Sequence, residues 1–183
     1  MGKAEVDERP IDEGRVESPQ NIEDDNLYYN TKNLQIREKR VDEVLKIEKA
    51  VTSLLKGEYG ERYQSQVKFQ DKITKVGLIV DGVIYGEGQI SKIVEIKYIS
   101  GKAIKHRLHY IASAFLKRLA EIGLKTPVIF ILVSESLNKE NAIEARQKIS
   151  ILNRNRDLNP GLIHTSLIFF RLDGTELQHI EIF

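Results

Sequence analysis

The chain has 183 residues, 41% hydrophobic and 30% charged, with no cysteine. This is the balance of one soluble globular domain with a sizeable core, and it excludes disulfides and thiolate zinc sites. The net charge of +1 hides an asymmetry: residues 1–30 hold nine acids against three bases, leaving residues 31–183 with 18 acids against 25 bases, a surplus that suits a polyanionic partner.

No segment approaches the length of a membrane span. The longest apolar run is Val128 to Val133, and the N-terminus has no apolar signal core. The expectation is a cytoplasmic protein with no membrane partner. Residues 1–30 are acidic, Pro-interrupted and without periodicity, which predicts a disordered acidic tail or linker ahead of a single domain over 31–183. From about Asn33 to Lys56 the pattern is helical, with Gly57 as its stop; Val44, Val51 and Leu55 centre the apolar stripe and Glu48 falls within it. A carboxylate there either snorkels from the edge of the packing or points at something that needs it.

Tyr63 to Phe69 reads as a strand, closed by a turn near Gln70-Asp71. Two β-branched runs follow, Val76 to Tyr85 and Ile90 to Ile99. They flank Gly86-Glu87-Gly88, whose glycines supply the positive φ of a hairpin; Gly82 is also assigned to a turn. Ala103 to Ile122 is an amphipathic helix ended by Gly123, and Pro127 to Val133 is a continuous apolar strand covered on both faces. Strand, helix, strand is the βαβ pattern, so this strand should lie parallel to the preceding one. Asn138 to Leu152 is a third helix, packing through Ala142, Ala145, Ile149 and Leu152, and the loop 153–161 exposes Arg154 and Arg156. Leu167 to Leu172 and Leu177 to Ile182 flank Asp173-Gly174 as a last hairpin.

Three of the charges in the first hairpin can come together. Glu95 and Lys97, two apart on one strand, project from the same face, and Asp81 on the partner strand can sit opposite them. Charge on strands that otherwise read as core is costly to bury uncompensated. A divalent metal answers that cost: Asp81 and Glu95 offer hard oxygen ligands suited to Mg²⁺ or Mn²⁺, with Lys97 beside a bound water.

An Asp, a turn and then a strand carrying Glu95-x-Lys97 resembles the PD-(D/E)XK nuclease superfamily. Glu95-x-Lys97 is the one acid-x-Lys triplet in the chain, and Val80 replaces the family's proline before the Asp. The order helix, three antiparallel strands, helix, strand over Val41 to Val133 is similar to the superfamily's αβββαβ core. The resemblance implies an α/β fold, a central mixed sheet flanked by helices in the restriction-endonuclease-like arrangement, with a C-terminal β-hairpin added. It implies a Mg²⁺-dependent endonuclease, a phosphodiester hydrolase, with DNA favoured over RNA as partner. Asp81, Glu95 and the backbone carbonyl of Ile96 would hold the metal. Glu48 would point in from the first helix to bind a second metal or orient a water, and Lys97 would position the attacking water.

Basic and aromatic groups near the helix that follows are candidate nucleic-acid contacts: Lys92, Lys102, Lys105, His106, Arg107 and Tyr110. His106 and His109 have a spacing that can hold zinc but no third ligand in view. Nucleotide-binding glycine loops and a GxSxG elbow are absent from the sequence. Two other classes stay open, a nucleic-acid-binding or assembly module that keeps the nuclease fold without cutting, and an ion-pair cluster in an unrelated α/β domain. Cutting both strands of a duplex needs two sites, so a homodimer through the apolar C-terminal hairpin, Ile180, Ile182 and Phe183, is a further expectation.

Overall fold

A computed structural model describes residues 5–7, 34–99, 101–174 and 176–181. Most of the acidic segment 1–30, Ile182 and Phe183 lie outside these residues. The elements in chain order are β1 (Glu5–Asp7), α1 (Leu34–Tyr59), β2 (Tyr63–Gln70), β3 (Gly77–Gly86), β4 (Gln89–Tyr98), α2 (Gly101–Glu121), β5 (Val128–Ser134), α3 (Lys139–Leu152), β6 (Thr165–Asp173) and β7 (Glu176–His179). The strands form one open sheet in sequence order. β1 to β4 are mutually antiparallel, β5 is parallel to β4, β6 is parallel to β5, and β7 turns back along β6. The fold is therefore α/β with a mixed sheet flanked by helices, and β5 lies parallel to the Glu95 strand as the βαβ pattern requires.

Helices cover both faces. α2 and α3 pack on one side through Ile104, Leu108, Leu116, Leu119, Ala142 and Ala145, against Ile93, Phe130 and Leu132. On the other side α1 lays Ile47, Val51 and Leu55 over Tyr63, Ile84, Val94, Ile96, Ile129 and Ile131. Every residue of β5 is buried, which is why it carries no alternation. No helix among the described residues is long and apolar enough to cross a membrane.

Several boundaries differ from the sequence reading. α1 runs through Gly57 to Tyr59 and ends at Gly60, the residue that takes φ +58°. Its buried stripe centres on Ile47, Val51 and Leu55, which moves Glu48 about 60° off centre and leaves it half-buried. The first hairpin turns on Glu87 (φ +52°) and Gly88 (φ +76°), two left-handed residues as a two-residue connection of this hand demands. Gly86 stays in β3. The last hairpin pairs Asp173 with Glu176, so its turn falls one residue later than Asp173-Gly174. Within the acidic segment, Glu5–Asp7 pairs with Lys68 to Gln70 as an edge strand. Ile180 packs half-buried against the larger core.

Gly82 is a strand residue, not a turn residue. β2 and β3 both change face at one point. Tyr63 faces α1 while Val67 and Phe69 face α2, and Leu78 and Val80 face α2 while Ile84 faces α1. The switch coincides with Gln66, at φ +54°, where regular pairing skips from Ser65↔Gly82 to Val67↔Val80. There the buried Tyr63 ring lies on Gly82 so closely that a β-carbon would meet Oη at 2.5 Å and Cε2 at 2.6 Å. The ring is 5% exposed, beneath α1, and has nowhere to retreat. Gly82→Ala should therefore destabilise the fold by about 1–3 kcal/mol, read as a lower urea midpoint with unchanged m-value. An unchanged midpoint would mean that the ring moves freely.

Candidate metal centre in the fork of the sheet

The ladder between β3 and β4 stops at Gly82↔Val94, whereas β4 goes on pairing with β5 as far as Tyr98↔Val133. Past Val94, then, one side of β4 has lost its strand partner. Ile93 and Ile99 donate their amides to Pro127 and Val133 on the β5 side, so by strand alternation the amide and carbonyl of Ile96 face the fork. Asp81 fills the gap. Its Oδ2 accepts the Ile96 amide at 2.6 Å, replacing the missing ladder bond with a charge-assisted one and fixing the carboxylate.

Glu95 and Lys97 lie on the α2 face of the same strand, in register with Phe130 and Leu132. Lys97 Nζ is 2.9 Å from Glu95 Oε1, with side-chain exposures of 13% and 5%. The other oxygen, Oε2, is buried and has no hydrogen-bond partner among the described residues. Burial pushes the Glu95 carboxyl well above the usual glutamate range and the nearby Asp81 charge adds to this; the Lys97 ammonium and the Asp81 amide pull the other way. Asp81, Glu95 and Lys97 are thus gathered at one point, with the Ile96 peptide beside them.

Glu48 enters from the opposite face. Its charge and that of Asp81 both act on the Tyr63 hydroxyl, whose pKa is pushed up to about 12, first by burial, with Thr52 hydrogen-bonded to it. Tyr63 donates to the Asp81 carbonyl at 3.4 Å. The sequence reading missed Tyr63 and Gln66: neither residue type announces that a strand changes face there. Among the described residues no three His, Cys, Asp or Glu side chains are grouped as a metal cluster.

The other candidates are dispersed. Lys92 is exposed, pairs with Ile84 near the hairpin turn, and lies nine residues before the start of α2, roughly 30 Å along an extended chain. It does not extend the positive region at the start of α2. Lys102 and Lys105 are in the first turns of α2, their side chains outside the described residues. His106 is exposed, Arg107 half-buried, and Tyr110 is 66% exposed with its ring 3.8 Å from that of His109. Burial and then the Lys148 charge hold His109 below the ordinary histidine value.

No family model, curated protein or solved structure matches the chain.

A pH dependence follows from Glu95. An acid whose pKa is raised on folding binds its proton more tightly in the native state; its stabilising contribution is full below the unfolded value and is lost as pH climbs through the raised one. In metal-free buffer the melting temperature of the wild type should fall relative to that of Glu95→Gln between about pH 5 and about pH 8. A constant difference across that range would show that Lys97 alone sets the charge state.

Proposed function

We propose that the chain is a divalent-metal-dependent nuclease of the PD-(D/E)XK type that hydrolyses phosphodiester bonds, with DNA as the favoured substrate. One observation carries the reading. Glu95 is buried beside Asp81, the carboxylate that fills the gap of the sheet, and among the described residues its Oε2 has no hydrogen-bond partner. Lys97 engages Oε1 of Glu95, and a divalent cation is the partner that two neighbouring carboxylates call for. The donors fit Mg²⁺ or Mn²⁺: two carboxylates and a peptide carbonyl are hard oxygen ligands, and Mg²⁺ bound by so few protein groups keeps waters and takes up phosphate oxygens. The run α1, antiparallel β2 to β4, α2, then β5 parallel to β4 supports a restriction-endonuclease-like core.

In this reading Asp81, Glu95 and the Ile96 carbonyl hold the cation, which when bound supplies Lewis acidity to a water and positive charge to the phosphate. Asp81 is pre-oriented by the Ile96 amide, and Lys97 keeps Glu95 Oε1 engaged so that Oε2 stays turned to the site. The Lys97 ammonium also offsets charge that develops on the phosphate during attack. Glu48, held on α1 near Tyr63, orients a water or binds a second metal from the other side of the fork.

Cleavage of labelled single-stranded DNA, duplex DNA and RNA with Mg²⁺ or Mn²⁺ tests this directly. The expected result is metal-dependent cleavage that falls about a thousandfold or more in Asp81→Asn and in Lys97→Met, while DNA binding measured in EDTA is kept. Full activity in either variant would overturn the assignment. Salt-sensitive binding without cleavage of any substrate would instead support the non-cutting binding module.

A further inference from the structure

Away from the carboxylates, the segment 153–164 between α3 and β6 has no regular structure and yet is rigidly built. Asn155 Oδ1 accepts the amides of Asp157 at 2.9 Å and Leu158 at 3.3 Å. Asn159, fully buried, clamps both the amide and the carbonyl of Ile163. Ser113 of α2 donates to the Leu158 carbonyl at 2.6 Å, and Asn153 brackets Thr165 with two side-chain bonds. Long loops held this firmly generally present something.

What it presents is an open groove of about 580 Å³, lined by Ser150, Ile151, Arg154, Asn155 and Arg156. Arg154 and Arg156 are exposed, and neither is ion-paired among the described residues. They are not needed to cap α3: the amides of Asn153, Arg154 and Asn155 already bond the carbonyls of Ile149, Ile151 and Leu152. Ile151 adds an apolar wall that is 63% exposed. Lys117, exposed one helical turn beyond Ser113, carries the positive surface on along α2. Asp157 is the one acid in the segment.

We infer that this groove is a second nucleic-acid contact, in which Arg154 and Arg156 bind backbone phosphates while Ile151 packs against sugar. Guanidinium forks on a stiff loop suit phosphodiester oxygens, and the +7 charge of residues 31–183 favours a polyanion. Thr165 aligns through Val128 with Ile93, two residues before Glu95, so the groove lies two strands over and roughly 15–20 Å from the carboxylates. That is about five nucleotide steps. A strand cut at the fork would therefore be gripped at a distance, which sets where it lies without touching the reacting phosphate. The choice of nucleic acid as the polyanion rests on the proposed nuclease reading.

The test is fluorescence anisotropy with labelled single-stranded and duplex DNA in EDTA, from about 50 to about 200 mM salt. It compares wild type, Arg154→Gln/Arg156→Gln, and Lys49→Gln/Lys56→Gln, a control that removes the same charge from the exposed face of α1. The arginine variant should bind on the order of tenfold or more weakly at low salt, with a log–log salt slope shallower by about two. The control should stay close to wild type, and all three should melt together. An arginine variant that matches the control in affinity and slope overturns the inference, as does a wild type that binds no DNA. Adding Mg²⁺ to the same proteins separates the two proposals. If wild type binds through the arginines but cleaves nothing, the nuclease reading fails and the groove stands. If wild type cleaves while the arginine variant keeps the full salt slope, the groove fails and the nuclease reading stands.

Discussion

A carboxylate taken wholly out of water is the constraint around which the rest of the sheet is arranged. Glu95 sits on a strand that is core on both sides, and a lone ionised group there costs several kcal/mol. Lys97 compensates part of that cost at 2.9 Å, and the Asp81 amide adds a smaller part. Both need β3 to leave β4 at the right residue. The departure is enforced from beneath, where Gln66 takes a left-handed conformation, the two strands exchange faces, and the Tyr63 ring presses on a glycine that has no side chain to resist it. Asp81 then takes over the ladder bond that β3 has given up.

The surroundings of the fork are suited to hold it still. β4 is tied on its other side to β5, whose seven residues are all buried, and the two hydrophobic layers under α1 and under α2 with α3 fix the strand from both faces. The charged residues lie toward the carboxyl end of β4, where open α/β sheets generally place their ligands. Positive groups are distributed unevenly around this point. Lys92 is remote, while the exposed face of α2 and the arginine loop beyond it form a surface on the side of the sheet that Glu95 and Lys97 face.

Much of this was legible in the sequence. The 4, 3, 4, 4, 3 spacing of Ile104, Leu108, Ile111, Phe115, Leu119 and Ile122 marked α2, and the unbroken run Val128 to Val133 marked a strand covered on both sides, because burial imposes periodicity directly. That Glu95 and Lys97 share a face followed from strand alternation, whereas Asp81 reaches them where the ladder between β3 and β4 has already ended. What escaped was set by tertiary contact. Gly82 looked like a turn residue because its strand role exists only in relation to Tyr63, nineteen residues earlier. Gly57 looked like a helix stop because the choice between Gly57 and Gly60 depends on where the chain must leave α1 to enter β2. Glu48 looked central to a stripe whose true centre is set by which apolar residues the sheet accepts. The arginine groove had no motif, since its stiffness comes from asparagines that bond across the loop.

The central claim is that Asp81 and Glu95 together form a cation site. The most direct measurement is an anomalous difference map, recorded near the manganese edge, from crystals of the wild type and of Asp81→Asn soaked in Mn²⁺. The account predicts a peak within coordination reach of Asp81 and Oε2 of Glu95, lost in the variant. A map of the wild type with no density in the fork at saturating Mn²⁺ would contradict it, leaving Glu95 and Lys97 as a self-contained ion pair.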